Sequence, residues 1–157
     1  MRPDISVPGS GCVAVAGNQC TVEPGGTQNS QSFTFDKVFD VDKEQEDVFE
    51  QIGAATRDDI LKGYNATILA YGQTSSGKTH SMFGPGGGDV QALAAGHPMY
   101  ARRGLIPRLF ESLFAWVGGT DPEEVSVQIT MSAFELYRED IIDLMGPDKS
   151  CEYRIRE

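Results

Sequence analysis

The sequence lacks the features that would place the protein in a membrane, outside the cell or on a nucleic acid. Apolar stretches such as Ile68 to Tyr71 are far shorter than the roughly 20 residues that a membrane-spanning helix needs. No apolar run follows the first residues, so we predict no signal peptide. The 13 basic and 23 acidic side chains give a net charge of -10, whereas nucleic-acid-binding domains normally carry a basic face. We therefore expect a soluble intracellular protein that binds neither membranes nor nucleic acid.

Cysteine is also scarce. Cys12, Cys20 and Cys151 form an odd set without C-x-x-C spacing, which argues against both a disulfide framework and a zinc site. Reduced thiols are expected, as is usual in a reducing compartment. At 157 residues, of which 39% are hydrophobic, the chain suits a single globular domain.

Strands are predicted at both ends of the chain. Residues 12–22 alternate in polarity around a Gly-Asn turn and predict a hairpin, and residues 33–35 predict a short strand. Residues 125–137 alternate over a longer stretch and predict a long strand, after which residues 141–145 suggest a short closing helix.

Two helical stripes lie between these strands. The first runs from Val48 to Ile60, with Asp42 and Gln45 as a capping box and Gly63 as the C-terminal cap. The second runs over residues 105–117 and ends at a Gly-Gly pair. The alternation of strands and helices favours an α/β fold.

One segment carries a chemical motif. Residues 72–79 match G-x-x-x-x-G-K-[ST] without departure, after a continuous apolar run at residues 66–71. Such a run is typical of a strand buried on both faces of a parallel sheet, and a helix can open at Lys78. A strand before the motif and a helix after it favour a phosphate-binding loop over a glycine-rich turn with a solvated lysine.

Each position in this loop has a physical role in phosphate binding. Gly72 and Gly77 permit backbone angles and close approaches that a Cβ would block. Lys78 brings a positive charge to the β- and γ-phosphates, and the Thr79 hydroxyl is a suitable Mg²⁺ ligand because Mg²⁺ prefers hard oxygen atoms. The predicted nucleotide-binding residues are Gly72, Gln73, Thr74, Ser75, Ser76, Gly77, Lys78 and Thr79.

Five blocks, in this order, resemble conserved segments of the kinesin motor domain. Residues 33–39 are similar to F-x-F-D-x-V-F, residues 63–82 to G-Y-N-G-T-I-x-A-Y-G-Q-T-S-S-G-K-T-x-T-M, and residues 104–108 to G-I-I-P-R. Residues 134–144 resemble F-E-I-Y-N-E-x-I-x-D-L-L, and residues 153–157 resemble L-x-I-R-E. Together the blocks cover nearly the whole chain.

The resemblance implies a three-layer P-loop NTPase sandwich of the kinesin-motor type, here with an incomplete sheet. Residues 1–157 would be the N-terminal part of a motor domain. The Gly and Ala content of residues 84–103 and their lack of a periodic stripe predict a mobile surface insertion that interrupts one helix. The family implies ATP and Mg²⁺ as ligands, microtubules as the partner, and a location in the cytoplasm on the cytoskeleton. Most of the segments that contact tubulin would lie outside this chain.

The resemblance also implies a subsite for the base. Kinesins contact adenine partly through an R-x-R-P segment, which only Arg2 and Pro3 could match, and a disordered start is the alternative. His80 follows the phosphate loop, where the family places a residue near the base, and a merely packed histidine is the alternative.

The sequence contains neither of the family's two switch motifs, N-x-x-S-S-R-S-H and D-L-A-G-S-E. Phosphoryl transfer depends on positioning and charge stabilisation, so ATP hydrolysis follows from the family and not from these residues. We expect the ATP-binding portion of a microtubule motor ATPase. One alternative is a degenerate kinesin-like module that binds nucleotide or a partner without hydrolysis, and another is an unrelated P-loop enzyme such as a nucleotide kinase.

Overall fold

A computed structural model of the chain describes residues 13–23, 30–87, 89, 91, 94–138, 140–146 and 153. The chain forms two compact units, Met1–Gly118 and Gly119–Glu157. The larger unit contains a three-stranded sheet and the helices, and the smaller unit contains a two-stranded sheet. No helix among the described residues has the length and apolarity needed to cross a bilayer.

The predicted hairpin near the N-terminus is confirmed. Strands β1 (Val13–Ala16) and β2 (Gln19–Val22) are antiparallel and are joined by a two-residue turn in which Gly17 has a φ of 59°. Strand β3 (Gln31–Thr34) pairs with the other edge of β2. Position 20, where the sheet aligns a cysteine with Phe33, is fully buried.

The first predicted helix is present but is built in three parts. These are α1 (Gln45–Val48), a π-helical turn (Phe49–Gly53) and α2 (Ala54–Leu61). A Cβ on Gly53 would overlap the Phe49 ring, so the glycine allows this close approach within the π turn.

The two ends of this helix differ in how well the sequence predicted them. The predicted capping box of Asp42 and Gln45 is wrong, because the box is formed by Glu44 and Asp47, and the Glu44 N–H donates to Asp47 Oδ2 over 2.8 Å. The predicted C-terminal cap is confirmed, since Gly63 has a φ of 89° and donates to the Ile60 carbonyl. The Tyr64 N–H donates to the Asp59 carbonyl over 3.0 Å, which completes a Schellman motif.

Helix α3 (Lys78–Phe83) opens at the predicted lysine, and helix α4 (Leu105–Gly118) matches the second predicted stripe. The Gly104 N–H donates to the Phe83 carbonyl over 3.0 Å. The chain at Gly104 therefore lies next to the C-terminal end of α3, where the 84–103 segment begins. Within the predicted insertion, the described residues form turns and a 3₁₀ helix (Tyr100–Arg102) and no strand.

The predicted buried strand at residues 66–71 is wrong. This segment forms no ladder with the described strands, and Leu69 and Tyr71 are both strongly exposed. A strand needs neighbours that accept and donate its backbone hydrogen bonds, and none of the described strands pairs with it.

The smaller unit also departs from the prediction. Residues 125–133 form no strand, and only β4 (Phe134–Tyr137) of the predicted long strand is formed. The predicted closing helix at residues 141–145 is wrong, because residues 141–143 belong to β5 (Asp140–Asp143), which is antiparallel to β4. A short apolar run such as Ile141-Ile142 does not distinguish a helix from a strand by periodicity alone.

The buried interior is small in the part of the chain that the structure describes. Its buried side chains are Cys20, Val38, Leu105, Gln45 and Arg108. Two of the five are polar. Gln45 contacts His80 in the helix that follows the phosphate loop, and Arg108 contacts Ala101 near the end of the 84–103 segment.

Candidate nucleotide-binding site

The loop at residues 72–79 is strongly curved. Gly72 has a φ of 152°, Gly77 has a φ of 94° and Ser75 has a φ of 66°. These values are ones that side-chain-bearing residues rarely adopt, and a Cβ on Gly72 would also overlap the Ser76 hydroxyl. The two glycines of the motif therefore stand where the backbone requires them.

Short-range contacts close this curve. The Ser76 N–H donates to the Gln73 carbonyl over 3.2 Å. Lys78 is the first residue of α3, and its Nζ donates to the carbonyls of Gly72 and Gln73 over 2.8 and 2.7 Å. The ammonium group thus lies over the loop, where phosphate oxygens could replace these carbonyls as acceptors.

Thr79 is the second residue of α3 and is exposed. Groups of three or more His, Cys, Asp or Glu side chains that could hold a metal ion are absent from the described ranges. The Thr79 hydroxyl is an oxygen donor of the kind that Mg²⁺ takes from a protein when phosphates and water supply its other ligands.

His80 lies on the first turn of α3 and contacts α1. The Gln45 amide nitrogen is 2.8 Å from His80 Nδ1 and 2.7 Å from the His80 carbonyl oxygen. Arg2 and Pro3, the other predicted contacts to the base, lie outside the described residues.

A cavity of about 450 Å³ adjoins the loop, a volume typical of ligand sites in proteins. Its walls combine the loop, the start of α3, the α1 region and the extended segment before the loop. Lining residues include Phe39, Gln45, Leu69, Ser76, Lys78 and His80.

A second cavity of about 360 Å³ lies beside Arg103, Arg108 and Glu111. Its charged groups are largely bonded to protein atoms. Arg108 donates to the carbonyls of Ala101 and Arg103 over 2.6 and 3.1 Å, and Arg103 donates to Glu111 Oε2 over 2.6 Å. These bonds join the end of the 84–103 segment to α4, which indicates a structural role.

The electrostatics of Arg108 support this interpretation. Burial lowers the pKa of Arg108, the neighbouring Arg103 lowers it further, and Glu46 and Glu111 oppose the shift. A guanidinium remains protonated in proteins, so Arg108 is a buried charge that the two carbonyls and the acidic groups stabilise.

Gln45 is the site residue that the sequence interpretation assigned to a different role. It precedes Val48, Phe49 and Ile52 by three, four and seven positions, which places it on the apolar stripe of its helix. A buried polar side chain requires a hydrogen-bonding partner. The position of Gln45 on the apolar stripe was therefore the feature of the sequence that could have indicated a buried polar contact.

Comparison with known proteins identifies relatives over most of the chain. The family model of the kinesin motor domain matches residues 13–157. The human chromosome-associated kinesin KIF4B is 42% identical over 139 residues, which are 85% of this chain and 10% of that protein. The kinesin-like protein KIN-12B of Arabidopsis thaliana is 38% identical over 125 residues, 77% of this chain and 9% of its own length.

Solved structures give the same result. The structure of a fast kinesin superposes with a TM-score of 0.66 at 36% identity, covering 88% of this chain and 36% of that one. A KIF14 structure with ADP, in complex with a microtubule, superposes with a TM-score of 0.65 at 28% identity, covering 92% and 38%. The chain thus spans about a tenth of these curated relatives and little more than a third of the two solved chains.

Proposed function

This chain belongs to the kinesin motor-domain family, and we propose that it is the ATP-binding portion of a microtubule-based motor ATPase that acts on the cytoskeleton in the cytoplasm. The observation that carries the proposal is the curved loop at residues 72–79, with Lys78 Nζ held over it. The KIF14 relative, which was solved with ADP and a microtubule, supports both the ligand and the partner.

We assign the phosphates of the nucleotide to the loop. Backbone N–H groups from Thr74 to Thr79 would donate to phosphate oxygens, as successive N–H groups do in anion-binding loops. Lys78 would exchange its two carbonyl acceptors for oxygens of the β- and γ-phosphates. The Thr79 hydroxyl would bind Mg²⁺, which neutralises phosphate charge when it is bound.

Binding and hydrolysis are separable in this proposal. The family's two switch motifs, which the resemblance makes responsible for sensing the γ-phosphate and organising water, do not occur in the sequence. We therefore expect the 157-residue chain to bind Mg·ADP about as well as Mg·ATP, without turnover above background. Hydrolysis and movement are proposed for the motor as a whole.

The experiment is a titration with Mg·ADP and Mg·ATP on folded native chain and a Lys78→Ala variant. We expect the variant to bind both nucleotides roughly 10- to 100-fold more weakly, since a charge-assisted hydrogen bond contributes about 1.5–3 kcal/mol. Lys62→Ala is the matched control, because Lys62 pairs with Asp59 at 3.8 Å on the surface, and such pairs contribute little.

Two further measurements complete the test. Thr79→Ala should weaken binding in the presence of Mg²⁺ and have little effect in EDTA, which would support the metal assignment. Phosphate release should remain at background with and without microtubules. Microtubule-stimulated hydrolysis would contradict the separation of binding from turnover, and absence of nucleotide binding by a folded sample would favour the degenerate module.

A further inference from the structure

Three arginines lie where the 84–103 segment ends and α4 begins, and they differ in how their charges are satisfied. The side chains of Arg103 and Arg108 both donate to protein oxygens over 2.6 Å. Arg102 is exposed, and its guanidinium forms neither a hydrogen bond nor an ion pair with any residue that the structure describes. A guanidinium has five N–H donors, so those of Arg102 are available to a ligand.

The backbone on both sides of Arg102 is held in place. The carbonyls of Ala101 and Arg103 accept hydrogen bonds from Arg108 over 2.6 and 3.1 Å, and Arg108 is only 6% exposed. A Cβ added to Gly84 would lie 2.8 Å from the Arg102 carbonyl oxygen, so this backbone packs directly against the residue that follows α3. The Arg102 side chain therefore starts from a fixed point at the C-terminal end of α3.

Arg102 and Arg103 line different cavities although they are adjacent in the chain. Arg103 lines the second cavity, whereas Arg102 lines the cavity that adjoins the phosphate loop. Lys78, at the N-terminal end of α3, lines the same cavity. The cavity of the phosphate loop thus has a cationic side chain at each end of α3.

The length of α3 indicates which part of a nucleotide Arg102 can meet. The helix has six residues, from Lys78 to Phe83, and each adds about 1.5 Å, so its two ends are about 9 Å apart. Phosphates held by the loop would lie at the Lys78 end, and the ribose and base would extend away from them. A guanidinium can donate to their oxygen and nitrogen acceptors and can stack on the face of the base.

We propose that Arg102 is a further nucleotide-binding residue, whose guanidinium contacts the ribose and base of a nucleotide held by the phosphate loop. The inference rests on the proposed nucleotide function and adds to it a contact from the 84–103 segment. It also gives the buried bonds of Arg108 a consequence for the site, because they fix the backbone that carries Arg102.

The variant test compares two probes, Mg·ATP and inorganic tripolyphosphate, which lacks the ribose and base. We expect Arg102→Gln to bind Mg·ATP about three- to tenfold more weakly, the equivalent of one ordinary hydrogen bond, and tripolyphosphate as well as the native chain does. Working at 0.15 M salt, where the Debye length is about 8 Å, limits the effect of the lost charge on distant phosphates. An equal loss for both probes would overturn the inference, because it would place the contact at the phosphates, and so would an unchanged affinity for Mg·ATP.

Two further variants separate a contact from a change of net charge. Arg57→Gln removes the same charge from the surface of α2, where Arg57 donates to Asp58 over 2.9 and 2.7 Å, and it should leave both affinities as in the native chain. Arg102→Lys keeps the charge and removes the planar set of donors, so it should bind Mg·ATP more weakly than the native chain. Full affinity in Arg102→Lys would show that charge alone acts, which would overturn the guanidinium contact.

The contact can also be observed on the native chain by ¹⁵N–¹H NMR of the Arg102 Nε–H group, which is assigned by its absence from the Arg102→Lys spectrum. We expect Mg·ATP to shift this signal and tripolyphosphate to leave it in place. A signal that Mg·ATP does not move would overturn the inference. Failure of the proposed function has a different signature, because the native chain would then bind neither probe.

Discussion

The phosphate loop at residues 72–79 and the segment at residues 64–71 are adjacent in the chain but differ in what fixes their conformation. The loop is closed by contacts among its own residues, including Ser76 to Gln73 and Lys78 to Gly72. The preceding segment runs without a hydrogen-bonded ladder to the described strands, and it leaves Leu69 84% exposed and Tyr71 96% exposed.

The difference shows which features a short sequence can specify alone. Positive φ values at glycine and bonds that span three to six residues depend only on local residues. A strand is different, because its backbone N–H and C=O groups need partners from elsewhere in the chain. Residues 66–71 have the composition of a buried strand, but composition supplies no partner.

The largest expected effect on nucleotide binding comes from disturbing the local contacts of the loop. Gly72→Ala introduces a Cβ at a φ of 152° and against the Ser76 hydroxyl. Backbone strain of this kind costs about 1–3 kcal/mol, so we expect Mg·ADP to bind roughly 5- to 150-fold more weakly. A fluorescence titration with Mg·ADP measures the change.

The overlap and the backbone strain can be separated. Ser76→Ala removes the hydroxyl that the new Cβ would meet, so it should restore part of the affinity when it is combined with Gly72→Ala. Native-like binding by Gly72→Ala alone would show that the loop is not fixed by its glycines, and the contrast with residues 64–71 would fail.

The correct and the wrong predictions along the chain follow the same division between local and long-range contacts. The Gly63 cap, the Gly17 turn and the opening of α3 at Lys78 were predicted correctly, and each depends on local residues. The long strand at residues 125–137 and the helix at residues 141–145 were not, since both depended on periodicity without knowledge of the pairing that forms β4 and β5.

For the candidate site, the sequence identified the phosphate loop but not the contact that crosses the fold. Gln45 and His80 are 35 positions apart, and no local pattern connects them. The sequence could indicate that Gln45 lies on a buried helical face. It could not indicate which residue meets it there.

A smaller effect is expected from a second local contact, in the smaller unit. Asp143 accepts the N–H groups of Met145 and Gly146, both over 2.9 Å, and the Tyr153 hydroxyl over 3.1 Å. The backbone bond from Met145, followed by that from Gly146, lowers the pKa of Asp143 below its usual value of 3.8, and the Tyr153 hydroxyl contributes less.

The sign of the pH dependence follows from this shift. Below the usual pKa the unfolded chain binds the proton more readily than the folded chain, so acid favours unfolding. The contribution of Asp143 to the stability of the folded chain is complete above about pH 4, and it is lost as the pH falls through the lowered pKa. Urea unfolding followed between pH 2 and 6 should show a shallower acid dependence in Asp143→Asn, with Tyr153→Phe between that variant and the native chain. Equal acid dependence in all three would refute the local contact.

The smallest effect is expected from Leu69→Ala, in the segment at residues 64–71 that has no local support. Leu69→Ala and Leu105→Ala make the same chemical change at an 84% exposed and a 4% exposed position. Removing buried leucine atoms costs about 2–5 kcal/mol, whereas surface changes usually stay within about 0.5 kcal/mol. Urea unfolding should therefore show a large loss for Leu105→Ala and almost none for Leu69→Ala. If the two losses were comparable, Leu69 would be covered in solution, and residues 66–71 would form the buried strand that their composition predicts.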